Sequence, residues 1–446
     1  MNLFHPFIVK RMENKRMKVA FCTLGCKVNQ YETNAMEQAI IKVGYEVVNF
    51  EQKADIYVIN TCTVTNMADK KSRQMIRRAK QLNLQAIIVA VGCYAQVSKE
   101  KLEEIEELDL ILGNNEKKEI VRYVEAFQKE RLVHLEDVIH QKEFIDFGQT
   151  VHMEKTRAVI KIQDGCDRFC SYCIIPYARG RVRSRKVESI VEEIKALAKN
   201  DVKEVVLTGI HIASYGKDFK EDIRLIDLLE KINSIDGIQR IRLGSLEPTI
   251  INKNFLNRLS KLNKICHHFH LSLQSGCDET LKRMNRKYTT EEFRKVTELI
   301  RATYKDVILT TDIIVGFPGE TDIEFNNTYK FLKEIKFYKM HIFKYSRRKG
   351  TKADLMENQV TSQIQEERSK KLSELSDINQ KEYNQKYIGK IEEVLIEEQD
   401  KEYIKGHTGN YLIVKIKSNE LKKYHNKLVK LEVTDALEEE LIGNIM

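Results

Sequence analysis

Eight residues, Cys166-Asp167-Arg168-Phe169-Cys170-Ser171-Tyr172-Cys173, constrain this chain more than any other stretch. They carry three cysteines, with three and then two residues between them, just after the strand-like RAVIKIQ. Three thiolates supply three of the four ligands of a [4Fe–4S] cluster. One iron then stays open to bind a small molecule, which points to one-electron or radical chemistry. Structural zinc would want a fourth ligand. His211 and Asp164 are the candidates for it, and neither has the spacing of a zinc site.

The other cysteines follow a different logic. Residues 17–145 alternate short apolar runs with helical stretches, which predicts a parallel sheet covered by helices. Cys26 follows KVAFCTLG, Cys62 follows DIYVINT and Cys93 follows AIIVAVG, so each stands just beyond the carboxyl end of a different strand. Ligands of open parallel sheets bind at that edge, and the three thiols are expected to converge there. Cys22 lies inside its strand, and Cys266 and Cys277 lack ligand spacing. These three read as buried free thiols. Helices are expected over 68–82, with Lys70, Arg73 and Arg77 available to RNA or to solvent, and over 96–107.

From 155 to 350 the pattern recurs at larger scale. RAVIKIQ, EVVLTGI, IQRIRLGS, HFHLSLQS, VILTTDIIVGFPG and FYKMHIFKYS read as six strands separated by helices. That predicts a curved, partly open barrel whose reactive edge is formed by the strand carboxyl ends. Thr208 and Gly209 end the second strand, Glu247 follows the third, Ser272 and Gln274 end the fourth, and Asp312 lies in the fifth. They form a candidate cradle for a cofactor. Asp312 also suits a satisfied core carboxylate, and Pro318-Gly319 an ordinary turn. PYARGRVRSR adds Arg179, Arg181, Arg183 and Arg185 beside the cysteine loop. These arginines are suited to clamping a phosphate backbone or to forming a solvated basic face.

The stretch 357–388 is polar and helical, as a helix bridging domains would be. After it, short alternating strands predict a small β-barrel. The 446 residues suffice for two to four domains of about 100–200 residues each. We divide them at 17–130, 152–380 and 381–446, with an aperiodic link near 130–155. The formal net charge of +9 suits a polyanionic partner without requiring one. No run approaches about eighteen apolar residues, so no membrane span is expected. The first residues read as a short extension without a signal-peptide pattern, and the cytoplasm is the expected location.

The six cysteines together resemble the methylthiotransferase family of radical S-adenosylmethionine enzymes, and the likeness runs along nearly the whole chain. It implies an α/β fold in three parts. The first is an N-terminal parallel-sheet domain holding an auxiliary [4Fe–4S] cluster on Cys26, Cys62 and Cys93. The second is a partial (β/α)6 barrel holding a second [4Fe–4S] cluster on Cys166, Cys170 and Cys173. The third is an RNA-binding C-terminal β-barrel of the TRAM type. CTLGCKVNQYET, with Lys27, Val28 and Gln30, resembles the branch acting on threonylcarbamoyladenosine at position 37 of the tRNA anticodon loop. The isopentenyladenosine branch has Gln-Met-Asn after the first ligand cysteine, and the ribosomal-protein branch has Asp-Lys-Asn.

The resemblance further implies two uses of S-adenosylmethionine. One molecule methylates sulfur at the auxiliary cluster. Another is cleaved at the barrel cluster to a radical that takes hydrogen from adenine C2, and the carbon then gains the methylthio group. An electron donor such as flavodoxin or ferredoxin and a sulfur source are implied partners. The alternatives are isopentenyladenosine or a ribosomal protein as substrate, or a non-enzymatic iron–sulfur protein that binds RNA or senses redox state.

Overall fold

The computed structural model describes residues 16–446 except 129, 151–155 and 419. The expected N-terminal extension and part of the expected link lie outside the described residues. The chain divides into two compact units and passes between them more than once. One takes the chain up to Thr150 together with Gln163–Arg168 and Cys173–Arg185. The other takes Val151–Ile162, Phe169–Tyr172 and Lys186–Met446.

The first unit is built on a six-stranded parallel sheet. Its spatial order is Glu46–Val48, Lys18–Thr23, Ile56–Thr61, Ile87–Gly92, Leu110–Leu112 and Leu132–His134. Ile56–Thr61 is buried along its whole length, as a central strand covered on both faces must be. Ile40, Met36 and Val58 pack on one side of the sheet, and Ile76, Ile59 and Ala90 pack in the other core. The helix Asn66–Leu82 starts where the Thr65 side chain accepts the Ala68 N–H at 3.1 Å.

Two expectations change in this unit. The helix expected over 96–107 is two short ones, Cys93–Val97 and Lys99–Glu103, interrupted at Ser98, which leaves helical backbone geometry (φ −135°, ψ 45°). The stretch after residue 130 is not only linker, because Leu132–His134 extends the sheet. That strand is three residues long, too short to show a period of two.

The second unit begins with six parallel strands. Arg157–Lys161, Glu204–Thr208 and Arg240–Leu243 form one ladder, and His268–Gln274, Ile308–Val315 and Lys339–Lys344 form another. Isolated bridges Ile241 to Ile265 and Leu246 to Leu271 join the two ladders into the partial barrel. Helices Thr290–Thr303 and Asp322–Ile335 open with reciprocal capping boxes, Thr289 with Glu292 and Thr321 with Glu324. Their Phe293, Ile300, Phe331 and Leu332 join the barrel core.

The polar helix is Ser362–Gln385. It packs on the last strand: Ser376 Oγ accepts the Met340 N–H at 3.0 Å, and Leu372 and Leu375 enter the core. The C-terminal strands close a five-stranded barrel in the order Ile391–Asp400, Tyr403–Thr408, Ile413–Lys417, Leu441–Ile445, Leu428–Ala436.

This small barrel is fastened to the start of the partial barrel's strands. Tyr411, with φ of +79°, stacks on His268 at 4.8 Å and on His407 at 5.0 Å. The Arg242 guanidinium lies 4.7 Å from its ring. Arg242 also donates to Glu204 at 2.7 Å, and both side chains are buried. The pair leaves no buried charge unmatched, the condition under which buried ions are tolerated.

Candidate cluster and cofactor sites

In the first unit, Cys26, Cys62 and Cys93 each follow a strand of the parallel sheet within three residues. Cys26 immediately precedes the helix Lys27–Lys42, and Cys93 opens a short helix. Helix amino ends favour thiolates. Cys62 and Cys93 are buried, and Cys26 is exposed. The three thiols lie close enough that Cys93 and Cys26 both act electrostatically on Cys62. Burial, with those neighbours, pushes the Cys62 thiol up to about 11. Coordination to iron removes that penalty, because a ligating thiol is deprotonated outright.

The backbone is shaped around these sulfurs. Gly25 has φ of +93°, and a Cβ there would lie 2.6 Å from the Cys62 sulfur. A glycine is needed both for the turn and for the space. Three soft donors at one sheet edge, with a glycine cradle beneath one of them, fit a cluster held by three thiolates.

Arg179 reaches into this site from the cysteine-loop segment of the same unit. Its Nε–H donates to the Cys93 sulfur at 3.2 Å. Its two terminal nitrogens donate to Glu32 at 2.8 and 3.0 Å, to Asp164 at 3.2 Å and to Asn29 at 2.7 Å. Lys117 Nζ donates to Glu32 at 2.6 Å, with both side chains buried. Arg183 lies 3.7 Å from Asp164, and Arg185 pairs with Asp146 at 2.9 Å and donates to Tyr31 at 3.1 Å.

The structure therefore gives the arginine run a setting that sequence reasoning did not foresee. Arg179, Arg183 and Arg185 are interior side chains held by carboxylates of their own unit, and Arg181 is exposed beside Asp167. Lys70 and Arg77 are exposed on their helix, whereas Arg73 donates to the Tyr94 hydroxyl at 2.7 Å.

Of the cysteine loop, Cys166 and Cys173 belong to the first unit and Cys170 to the second. The Cys166 N–H donates to the Gly180 carbonyl at 3.0 Å. In the second unit, Phe169–Tyr172 is held by the turn around residue 285. Ser171 N–H donates to Met284 O at 3.1 Å, and Asn285 Nδ2 donates to Phe169 O at 3.0 Å.

Arg286 extends from the same turn. Its Nη1 donates to the Cys170 sulfur at 3.3 Å, its Nη2 to the Ser272 carbonyl at 3.1 Å, and its Nε to the Tyr288 hydroxyl at 2.9 Å. Glu247 lies 3.8 Å from Arg286 and pairs with His211 at 3.0 Å. Burial alone would lower the Arg286 pKa, but Tyr172, Tyr288, Cys170 and Glu247 hold it well above the ordinary value. A permanent cation beside a cluster-motif sulfur and a buried carboxylate suits the zwitterionic end of S-adenosylmethionine.

Cys170, Glu247 and Ser272 are thus brought together, with Arg286 and His211 as partners that carried no motif signal. Thr208 closes its strand, its carbonyl accepting the Ile162 N–H at 2.9 Å, and Gly209 follows it. Gln274 has φ of +73° at an irregularity between Leu271 and Gln274 in the strand pairing. Asp312 stands apart from the Arg286 group, paired with His270 at 3.0 Å.

The two candidates for completing a zinc site are engaged elsewhere, His211 with Glu247 and Asp164 with Arg179. Cys266 and Cys277 are buried, and burial pushes the Cys266 thiol up to about 12. Cys22 is half-buried rather than enclosed, and burial pushes its thiol up to about 11.

A partial barrel of six parallel strands, with a three-cysteine loop after the first, defines a radical S-adenosylmethionine protein. Residues 160–332 match the Radical SAM superfamily, and residues 18–113 match the uncharacterized protein family UPF0004. The chain belongs to the methylthiotransferase family of radical S-adenosylmethionine enzymes.

It is 41% identical over 426 residues to threonylcarbamoyladenosine tRNA methylthiotransferase MtaB of Bacillus subtilis, covering 94% of each chain. It is 34% identical over 451 residues to tRNA-2-methylthio-N(6)-dimethylallyladenosine synthase of Caldicellulosiruptor saccharolyticus, covering 99% of this chain and 94% of that one. Among solved structures it resembles the radical S-adenosylmethionine methyltransferase TsrM from Kitasatospora setae. The TM-score is 0.55 and the identity 15%, covering 75% of this chain and 76% of that one, a likeness of fold alone.

Proposed function

We propose that this protein is a tRNA methylthiotransferase that converts N6-threonylcarbamoyladenosine at position 37 to its 2-methylthio derivative. The carrying observation is the 41% identity along 94% of both chains to a relative named for that reaction. The two cysteine sets, each with a buried arginine on one sulfur, are the chemistry such a reaction needs.

Cys166, Cys170 and Cys173 would hold the barrel [4Fe–4S] cluster, and Cys26, Cys62 and Cys93 the auxiliary one. When bound, these clusters with S-adenosylmethionine supply a deoxyadenosyl radical for C–H activation and a sulfur that carries a methyl group. The protein's own residues provide the binding. Arg286 would bind the cofactor's carboxylate, and Glu247, paired with His211, would accept from its amine or hydroxyls. Thr208, Gly209, Ser272 and Gln274 would line the remaining strand ends of the cofactor cradle, with Asp312 contributing from within its own strand. Geometry matters here, because displacement of about 1 Å at a reacting centre costs about 100-fold. Arg181, exposed beside the cysteine loop, is our RNA contact among the four arginines. Arg179, Arg183 and Arg185 organise the first unit.

The proposed division remains 17–130, 152–380 and 381–446 in outline, with Leu132–His134 added to the first part and the helix Ser362–Gln385 crossing the last boundary, and with the closed C-terminal barrel as the TRAM-like RNA-binding part. The substrate base must leave its stack to be reached, as anticodon loops permit. A one-electron donor of the flavodoxin or ferredoxin class and a sulfur source complete the partners, and we assign the enzyme to the cytoplasm. No helix among the described residues is long and apolar enough to cross a membrane.

Nucleoside mass spectrometry of tRNA from cells with and without the gene tests this reading. Loss of the 2-methylthio form with accumulation of threonylcarbamoyladenosine supports it. Loss of the 2-methylthio form of the dimethylallyl nucleoside instead would move the substrate to that of the 34% identical relative.

A further inference from the structure

A guanidinium has five N–H bonds in one rigid plane. In Arg179 all five are used: two toward Glu32, one toward Asp164, one toward Asn29 and one toward the Cys93 sulfur. The first four fix the plane of the group, so the direction of the fifth is set by partners other than the cysteine. The side chain is fully buried.

A neutral thiol is a weak acceptor and a thiolate a strong one. A preset donor aimed at a buried sulfur is therefore worth most when that sulfur is anionic, as a cluster ligand is. The surrounding charge agrees. Arg179, Arg183 and Lys117 stand against Glu32 and Asp164, all with side chains at most 8% exposed. Arg179 stays charged: burial opposes it, but Cys93, Glu32 and Asp164 together raise its pKa well above the ordinary value. Burial lowers the pKa of Lys117, while Glu32 raises it. Arg179 and Arg183 alone balance Glu32 and Asp164, so these paired groups add no net negative charge beside the Cys93 sulfur.

Arg179 ends the short helix Ile175–Arg179, which begins two residues after Cys173. The helix is pinned again at Ala178, whose carbonyl accepts Asn114 Nδ2 at 2.8 Å. Asn114 Nδ2 also faces the Cys93 sulfur at 3.7 Å. Two donors from different segments thus address one sulfur; the basic run singles out Arg179 only as a phosphate contact or part of a solvated face, and nothing in the cysteine spacing points to Asn114.

We propose that Arg179 is a positioning residue of the auxiliary cluster: its Nε–H bond to the Cys93 sulfur raises that cluster's reduction potential and holds Cys93 in ligating register. Hydrogen bonds to cluster sulfurs and nearby net charge are the levers that set such potentials. Reduction adds negative charge, and a fixed donor at the ligand sulfur favours that state. The inference rests on Cys26, Cys62 and Cys93 being the ligands.

The test uses the full-length chain with Cys166, Cys170 and Cys173 changed to Ser, so that only the auxiliary cluster is loaded. Iron and sulfide content are measured together with an EPR-monitored potential titration. R179Q is expected to lower the potential by about a tenfold change in the reduction equilibrium, about 59 mV for one electron. R179K keeps the charge but loses the fork, and is expected to shift the potential the same way by less.

Loss of iron from R179Q in a chain that still melts cooperatively would support the role in holding Cys93, and R179K would then report the potential. An unchanged potential and iron content in R179K and R179Q overturns the proposal. An unchanged R179K alone overturns it if R179Q does not fold. If the background without either Arg179 change binds no cluster, the ligand assignment fails instead.

Discussion

Arg286 donates from Nη1 to the sulfur of Cys170 at 3.3 Å, although 116 residues separate them in the chain. The same guanidinium holds the Ser272 carbonyl and the Tyr288 hydroxyl and lies 3.8 Å from Glu247. It thereby joins a cluster-motif sulfur to two residues of the expected cofactor cradle.

Replacing Arg286 by Gln removes charge-assisted bonds worth about 1.5–3 kcal/mol each. We expect 5′-deoxyadenosine formation to fall about 10- to 100-fold, while iron retained by the Cys166/Cys170/Cys173-to-Ser background stays unchanged. R286K should be intermediate, because an ammonium cannot reproduce the planar fork. Product chromatography and iron analysis on the same preparations check both statements.

The two cysteine sets predict separable defects. Serine at Cys166, Cys170 or Cys173 is expected to abolish 5′-deoxyadenosine formation. Serine at Cys26, Cys62 or Cys93 is expected to spare much of it and stop methylthiolation. Equal loss of 5′-deoxyadenosine from both sets would contradict this division of labour.

Gly25 carries a backbone prediction. An alanine there meets left-handed strain of about 1–2 kcal/mol and places its Cβ 2.6 Å from the Cys62 sulfur. G25A is expected to halve the iron per chain after reconstitution while leaving 5′-deoxyadenosine formation largely in place. Wild-type iron content would show that Cys62 does not need this cradle.

The Glu204–Arg242 pair predicts an acid-dependent loss of stability. Burial would raise the Glu204 pKa, but Arg242, Arg157 and Arg240 hold it below the usual carboxylate value. Its contribution is therefore full above the unfolded-state value of about 4.3 and is lost as pH falls through the lower folded value. E204A, which leaves buried cations unmatched, is expected to cost about 3–5 kcal/mol at neutral pH. Thermal melts of parent and variant should converge as the pH drops below about 4.

Both cysteine sets were legible because their signals are local. The loop states its own spacing, and Cys26, Cys62 and Cys93 each stand just beyond a recognisable apolar strand. The six barrel strands and the closing β-barrel were legible for the same reason, since β-periodicity and turn residues act over a few neighbours. Leu132–His134 was missed because three residues carry no period, and the break at Ser98 because the apolar pattern continues across it. The arginine run was legible as charge but not as placement.

The sequence by itself determined the cysteine spacing, the alternation of strands and helices, and the edge at which the thiols stand. Tertiary structure alone decided which cations serve those sulfurs. Arg179 meets Cys93 and Glu32 across 86 and 147 residues, and a linear charge count cannot say which carboxylate a buried guanidinium will find. Burial supplies the physical reason. A charge withdrawn from water must take every bond it makes from its neighbours, and those neighbours exist only once the sheet, the cysteine loop and the helices have packed.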